Sequence, residues 1–191
     1  MLDYLLEILT AFAKAEPNGG GTKASAAPAD LFKIDEDCEK LSEKRATEFH
    51  NLVAKTLCCT KRARPDTCTA VAFLTTRVRK PDKDDWAKMV HVMKHLRGTK
   101  NPPLILGASG SGILKWWIDA SFAVHPNMRG HTGGGLSMGT GFPIVASTKQ
   151  KLNTRSSTKC KIVGVDDCMP AVLWTRYFLE SQGYTVTENI V

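Results

Sequence analysis

The apolar residues of this chain change period near residue 103, and that change constrains the fold more than any total does. Before it they recur at helical spacing; after it they fall into short runs divided by glycine-rich turns. Phe49, Leu52, Val53 and Leu57 predict a helix over about 42–60, and Pro65 suits the first position of another, with Val71, Leu74 and Val78 as its face. The best-signalled helix has Asp82 as cap, Asp84 and Asp85 in its first turn, and Trp86, Met89, Val90, Met93 and Leu96 as its stripe. Lys94, His95 and Arg97 precede Gly98, and "NPP" stops it.

Beyond 103, "PLILGAS", "GILKWWIDASFAV", "TGGGLSMG" and "GFPIVAST" read as a strand meander. A helix from about Ser156 to Gln182 follows, with Ile162, Val165, Met169, Val172, Leu173 and Leu179 predicted inward and Pro170 as a kink. "YTVTENIV" alternates like a last strand. The predicted fold is α+β: a helical region, then a β-β-β-α-β unit, divided in the Gly/Pro-rich stretch 101–112.

The opening "MLDYLLEILTAFAKA" (1–15) sets Leu2, Leu5, Leu6, Leu9 and Phe12 on one face of an amphipathic helix that wants a partner. Acids at Asp3 and Glu7 and its short length exclude a signal peptide and a membrane span. Residues 16–30, rich in Gly, Ala and Pro, have the composition of a flexible linker. Six cysteines without CxxC spacing predict free thiols in a reducing, intracellular setting, cytoplasmic or nuclear. With 26 Lys and Arg against 19 Asp and Glu, the net charge of +7 suits a polyanionic partner.

Four short motifs have plain readings. "HVMKH" spaces His91 and His95 as in a zinc-protease helix, but Val92 stands where the glutamate belongs, which predicts a solvated helix face. "GLSMG" matches a nucleophile elbow, yet Ser137 is followed by more strand, not by a helix. "GASGSG" lacks the Gly-Lys-Ser/Thr of a phosphate loop, and "VDD" (165–167) lies within helical periodicity.

One acid stands out. Asp119 sits in the middle of "LKWWIDASFAVHP", and a carboxylate desolvated there alone would cost several kcal/mol, so the run predicts a partner for it. Two-metal nucleases supply one kind of reason: several carboxylates hold two magnesium ions about 4 Å apart.

"RARPDTCTAVAFLTTRV", "DDWAKMVHVMKHLRGTK", "KWWIDASFAVHPNMRGHTGG", "STKQKLNTRSST" and "VLWTRYFLESQGY", in that order, resemble the C-terminal part of a copia-type retrotransposon polyprotein, where reverse transcriptase passes into ribonuclease H. The resemblance covers almost the whole chain. It implies that residues 31–100 are a helical tail or connection region of the reverse transcriptase, without the polymerase palm. It likewise implies that 112–191 form a partial ribonuclease H-like domain, the first half of that fold.

The resemblance puts Asp119 on the first metal-binding aspartate. Where the family helix begins "S-S-T-E-A-E", this chain reads "SSTKCK": both acids are lysines, and Lys161 replaces the expected metal-binding glutamate. The family's third aspartate would fall just beyond Val191. An ammonium beside Asp119 reverses the sign of a magnesium site, so Asp119 is expected as a vestigial catalytic and metal-binding residue, paired to Lys161, with no magnesium bound. Asp166 and Asp167 are turned roughly 140° and 240° around the helix from position 161 and do not stack on the lost ligand. The resemblance further implies phosphate contacts to an RNA/DNA hybrid, for which Lys149, Lys151, Arg155 and Lys159 are the candidate residues; Lys61, Arg62, Arg64, Arg77, Arg79 and Lys80 are the weaker clusters.

Three functions are therefore open at this point: an inactive polyprotein fragment that keeps affinity for nucleic acid, a working magnesium-dependent ribonuclease H, or an interaction module docking through its first helix. A half-complete sheet ending in an open edge also predicts aggregation.

Overall fold

The computed structural model describes residues 1–191, and the chain divides into two compact units, Met1–Pro103 and Leu104–Val191. The fold is α+β. No helix is long and apolar enough to cross a membrane.

The first unit is helical: α1 (Leu2–Ala15), α2 (Glu43–Arg62), a 3-10 turn (Pro65–Thr67) running into α3 (Cys68–Thr75), and α4 (Lys83–Gly98). Each longer helix starts where a side chain can satisfy a free amide. The hydroxyl of Ser42 accepts from Arg45 N, while Asp82 and Asp85 form a reciprocal capping box at the head of α4. The core joins Leu5, Ile8 and Phe12 of α1 to Phe49 and Val53 of α2, Val71, Phe73 and Leu74 of α3, and Met89, Val92, Met93 and Leu96 of α4. The partner that α1 wanted is therefore in its own unit. Its inward face is rotated from the predicted one: Leu2 and Leu6 are exposed, and Ile8 is buried.

Two expectations change here. The 16–30 segment, linker-like in composition, is tied along α4: Arg97 donates to Gly19 O at 2.8 Å, His91 Nε2 lies 2.9 Å from Ser25 O, and Ala26 is buried. The "HVMKH" face is thus not solvated. His95 is buried, with Nε2 2.7 Å from Asp66 Oδ2 and Nδ1 3.2 Å from Lys23 O. Two residues of the weaker basic clusters are structural. Arg64 pairs with Asp66 at 2.6 Å, and Arg77 bridges buried Asp85 and Asp82, both at 2.9 Å.

The second unit is a four-stranded sheet backed by one helix. Its strands are β2 (Ile113–Ser121), β3 (His131–Ser137), β5 (Ile144–Lys149) and β6 (Glu188–Ile190), in the order β5-β3-β2-β6; β1 (Gly107–Ala108) and β4 (Gly139–Thr140) form a separate small ribbon. β2, β3 and β5 are antiparallel neighbours, and β6 returns parallel to β2, pairing only along 113–115. The crossover is α5 (Ser157–Ser181), capped by Ser156 and containing Pro170, which does not end it.

Leu114, Trp116, Ile118 and Leu136 pack with Val172 of α5, so alternate residues of β2 face the helix. The predicted inward stripe of α5 is corrected by this packing. Ile162 and Leu173 are exposed, and the buried positions are Cys160, Gly164, Cys168, Val172 and Thr175. The helix lies close because both surfaces are small: a Cβ on Gly164 would meet Ala120 Cβ at 3.2 Å, and one on Gly134 would meet Cys168 Sγ at 2.8 Å. All six cysteines are free thiols.

Candidate nucleic-acid interface

Asp119 lies on β2 at a position that alternates with the buried ones, beyond the stretch that β6 pairs. Its side chain is 78% exposed, so burial does not force a partner on it, contrary to the expectation from its apolar surroundings. It has two partners nonetheless. The carboxylate accepts from Ala120 N at 2.8 Å and from Lys161 Nζ at 3.2 Å, and these two donors, the backbone amide first, hold its carboxyl below the usual carboxylate range. Lys161 reaches it from the fifth residue of α5, whose start is anchored where Cys160 Sγ meets Ser121 O at 3.5 Å.

An ammonium occupies the approach to Asp119, and nowhere in the chain do three His, Cys, Asp or Glu side chains gather as a metal would need. Asp167 is engaged elsewhere, accepting from Thr132 Oγ1 at 3.0 Å, and Asp166 is exposed.

The candidate cations surround this end of the sheet unevenly. Lys151, Arg155 and Lys159 are exposed, and Arg155 and Lys159 line a shallow cleft with Leu152, Asn153, Thr154, Ile162 and Val163. Lys149 closes β5 and is half-buried; desolvation and then Arg129 push its ammonium below the ordinary lysine range.

Beside Lys149 lies an arrangement that sequence reading missed. His131 Nδ1 is 3.1 Å from His125 Nε2, and His131 Nε2 is 2.6 Å from Ser147 Oγ, all three residues being buried. Desolvation lowers both histidines to about 4, helped at His125 by Lys149 and by His131 itself, so both rings are neutral at pH 7. The chain ties the 122–130 loop to β3 and β5. Its only trace in the sequence is the spacing of two histidines in "HPNMRGH", which periodicity leaves silent.

No family profile matches the chain, and no solved structure matches it. Over 129 residues it is 29% identical to the retrovirus-related Pol polyprotein from transposon TNT 1-94 of Nicotiana tabacum. The match takes in 67% of this chain and 10% of the polyprotein, so the chain spans about a tenth of that relative's length. By this likeness the chain is similar to a short stretch of a retrotransposon polyprotein.

Proposed function

We propose that the chain is a segment of a copia-type retrotransposon polyprotein, running from the end of its reverse transcriptase into the first half of its ribonuclease H domain, and that it binds RNA/DNA hybrid without cleaving it. Support for the placement comes from the sheet: three antiparallel strands, a helix and a strand parallel to the first, with the acid on the strand that starts the unit. The single observation that carries the loss of cleavage is the 3.2 Å pair between Lys161 and Asp119. A two-metal site works by concentrating negative charge, and here the one carboxylate on the strand is matched by a cation. The reading therefore includes no bound magnesium and no polymerase activity.

Binding rests on Lys149, Lys151, Arg155 and Lys159, which would meet phosphates and so carry no sequence preference. About four phosphate contacts predict that affinity for a hybrid duplex falls about 100-fold between 50 and 200 mM salt. The test is fluorescence anisotropy with a labelled hybrid across that range. Replacing Lys151, Arg155 and Lys159 together by Ala should flatten the salt slope. An affinity indifferent to salt, or unchanged in that triple variant, would contradict the reading.

A further inference from the structure

We infer that the helix-free face of the four-stranded sheet is a second binding surface, for single-stranded nucleic acid, on which an unpaired base stacks against Trp117. The face can be written out from the register. Lys115 lies opposite Ser137; Trp117, Gly135 and Val145 form the next row; Asp119, Gly133 and Ser147 the next; and Ser121, His131 and Lys149 the last.

Trp117 is 64% exposed, whereas its neighbour Trp116, turned to the α5 side, is 4% exposed. Around it the floor is low. A Cβ on Gly133 would meet nothing closer than Asp119 O at 3.9 Å, so the space above that residue is open. At Gly135 the ring of Phe142 takes the place of a side chain, since a Cβ there would lie 2.8 Å from Phe142 Cδ1, and Phe142 is itself exposed. Two exposed aromatic rings, Trp117 and Phe142, thus stand on the same face as the open position above Gly133.

The chemistry of the face selects the occupant. An apolar face would call for a helix or a second copy to cover it, as α5 covers Leu114, Trp116, Ile118 and Leu136 on the other side. This face instead carries Lys115, Asp119 and Ser121 at exposed positions, polar groups that an antiparallel sheet leaves in water, while its Ser137, His131 and Ser147 positions are buried. What it offers is an exposed indole with an exposed cation, Lys115, two residues along the same strand face. The lone acid is offset by Lys161. Residues 104–191 hold eight Lys and Arg against five Asp and Glu. Aromatic surface with flanking positive charge is what unpaired bases on a phosphate backbone require. Paired bases in a duplex present no free face to Trp117, so this surface and the Lys151–Lys159 surface have different ligands and are tested separately.

The experiment compares two probes of equal charge on the full chain at low salt: an oligothymidylate of about 15 nucleotides and an abasic strand of the same length. The protein should bind the oligothymidylate about five-fold more tightly or better. Trp117→Ala should abolish that preference, Trp117→Phe should keep most of it, and Trp174→Ala, at another exposed tryptophan, should leave it intact. Affinity of all three variants for hybrid duplex should stay that of the parent. Should Trp117→Ala not fold, quenching of the remaining emission in Trp174→Phe by oligothymidylate, and not by the abasic strand, carries the same prediction. Equal affinity for the two probes, a preference that survives Trp117→Ala, or self-association that buries Trp117 and excludes the oligonucleotide would overturn the inference.

Discussion

Lys161 and Asp119 lie 3.2 Å apart on the surface, and their effect on stability is small. Both side chains are mostly in water, so the pair is screened and Asp119→Asn should leave the urea midpoint nearly where it is. The titration of Asp119 is the sensitive readout. Lys161→Gln should raise the carboxyl pKa, but only part of the way to its ordinary value, because the Ala120 amide, the larger influence, stays in place. Carboxyl-carbon NMR across the acid range checks this; an unmoved titration would mean that the ion pair does not form. The buried histidines act with the opposite weight. His125 and His131 are lowered to about 4 from 6.5, so the unfolded chain binds more protons than the folded one between those values. Their contribution to stability is full above pH 6.5 and is lost as the pH falls toward 4. Unfolding free energies from denaturant titrations at pH 7 and pH 5 should differ by an amount on the order of a few kcal/mol, and His131→Gln should shrink the difference.

At the scale of elements, the contact of α5 with the sheet depends on having very little side chain between them. Gly134→Ala would drive a methyl toward Cys168 Sγ, 2.8 Å away on a buried side chain, and should cost about 1–3 kcal/mol in chemical denaturation. The same smallness explains what the sequence could and could not tell. The helices of the first unit were legible because large apolar residues recur at helical spacing, and the cap of α4 because Asp82 sits one step before it; the Ser42 cap of α2 was not read. The strands were legible because Gly-rich turns divide them. The inward face of α5 was only partly so: Met169, Val172 and Leu179 pack inward as predicted, while Ile162 and Leu173 do not. Cysteine, glycine and threonine carry little hydrophobic signal, so Ile162 and Leu173 drew part of the stripe to the wrong side. The 16–30 segment misled in the other direction, since its hold on α4 runs through backbone carbonyls accepting from His91 and Arg97, which no composition reveals. Of the candidate site, the Lys161–Asp119 geometry was readable only through a resemblance, and the Ser147–His131–His125 chain left no period to read.

At the scale of the whole molecule, charge is divided between structure and surface. In the helical unit some arginines are spent internally: Arg77 holds the buried Asp82 and Asp85 at the head of α4, and Arg77→Ala, which leaves Asp85 without a cation and Asp82 with Lys40 alone, should destabilise that unit by about 3 kcal/mol as read by its urea transition. In the sheet unit Lys151, Arg155 and Lys159 remain in solvent, free to meet a polyanion. Under the proposed function, those cations meet a polyanion while Lys161, not a metal ion, faces Asp119. The most direct measurement is incubation of the full chain with an end-labelled RNA/DNA hybrid in magnesium. The account predicts a hybrid that is bound and stays intact; cleavage that requires magnesium and disappears in Asp119→Asn would contradict it.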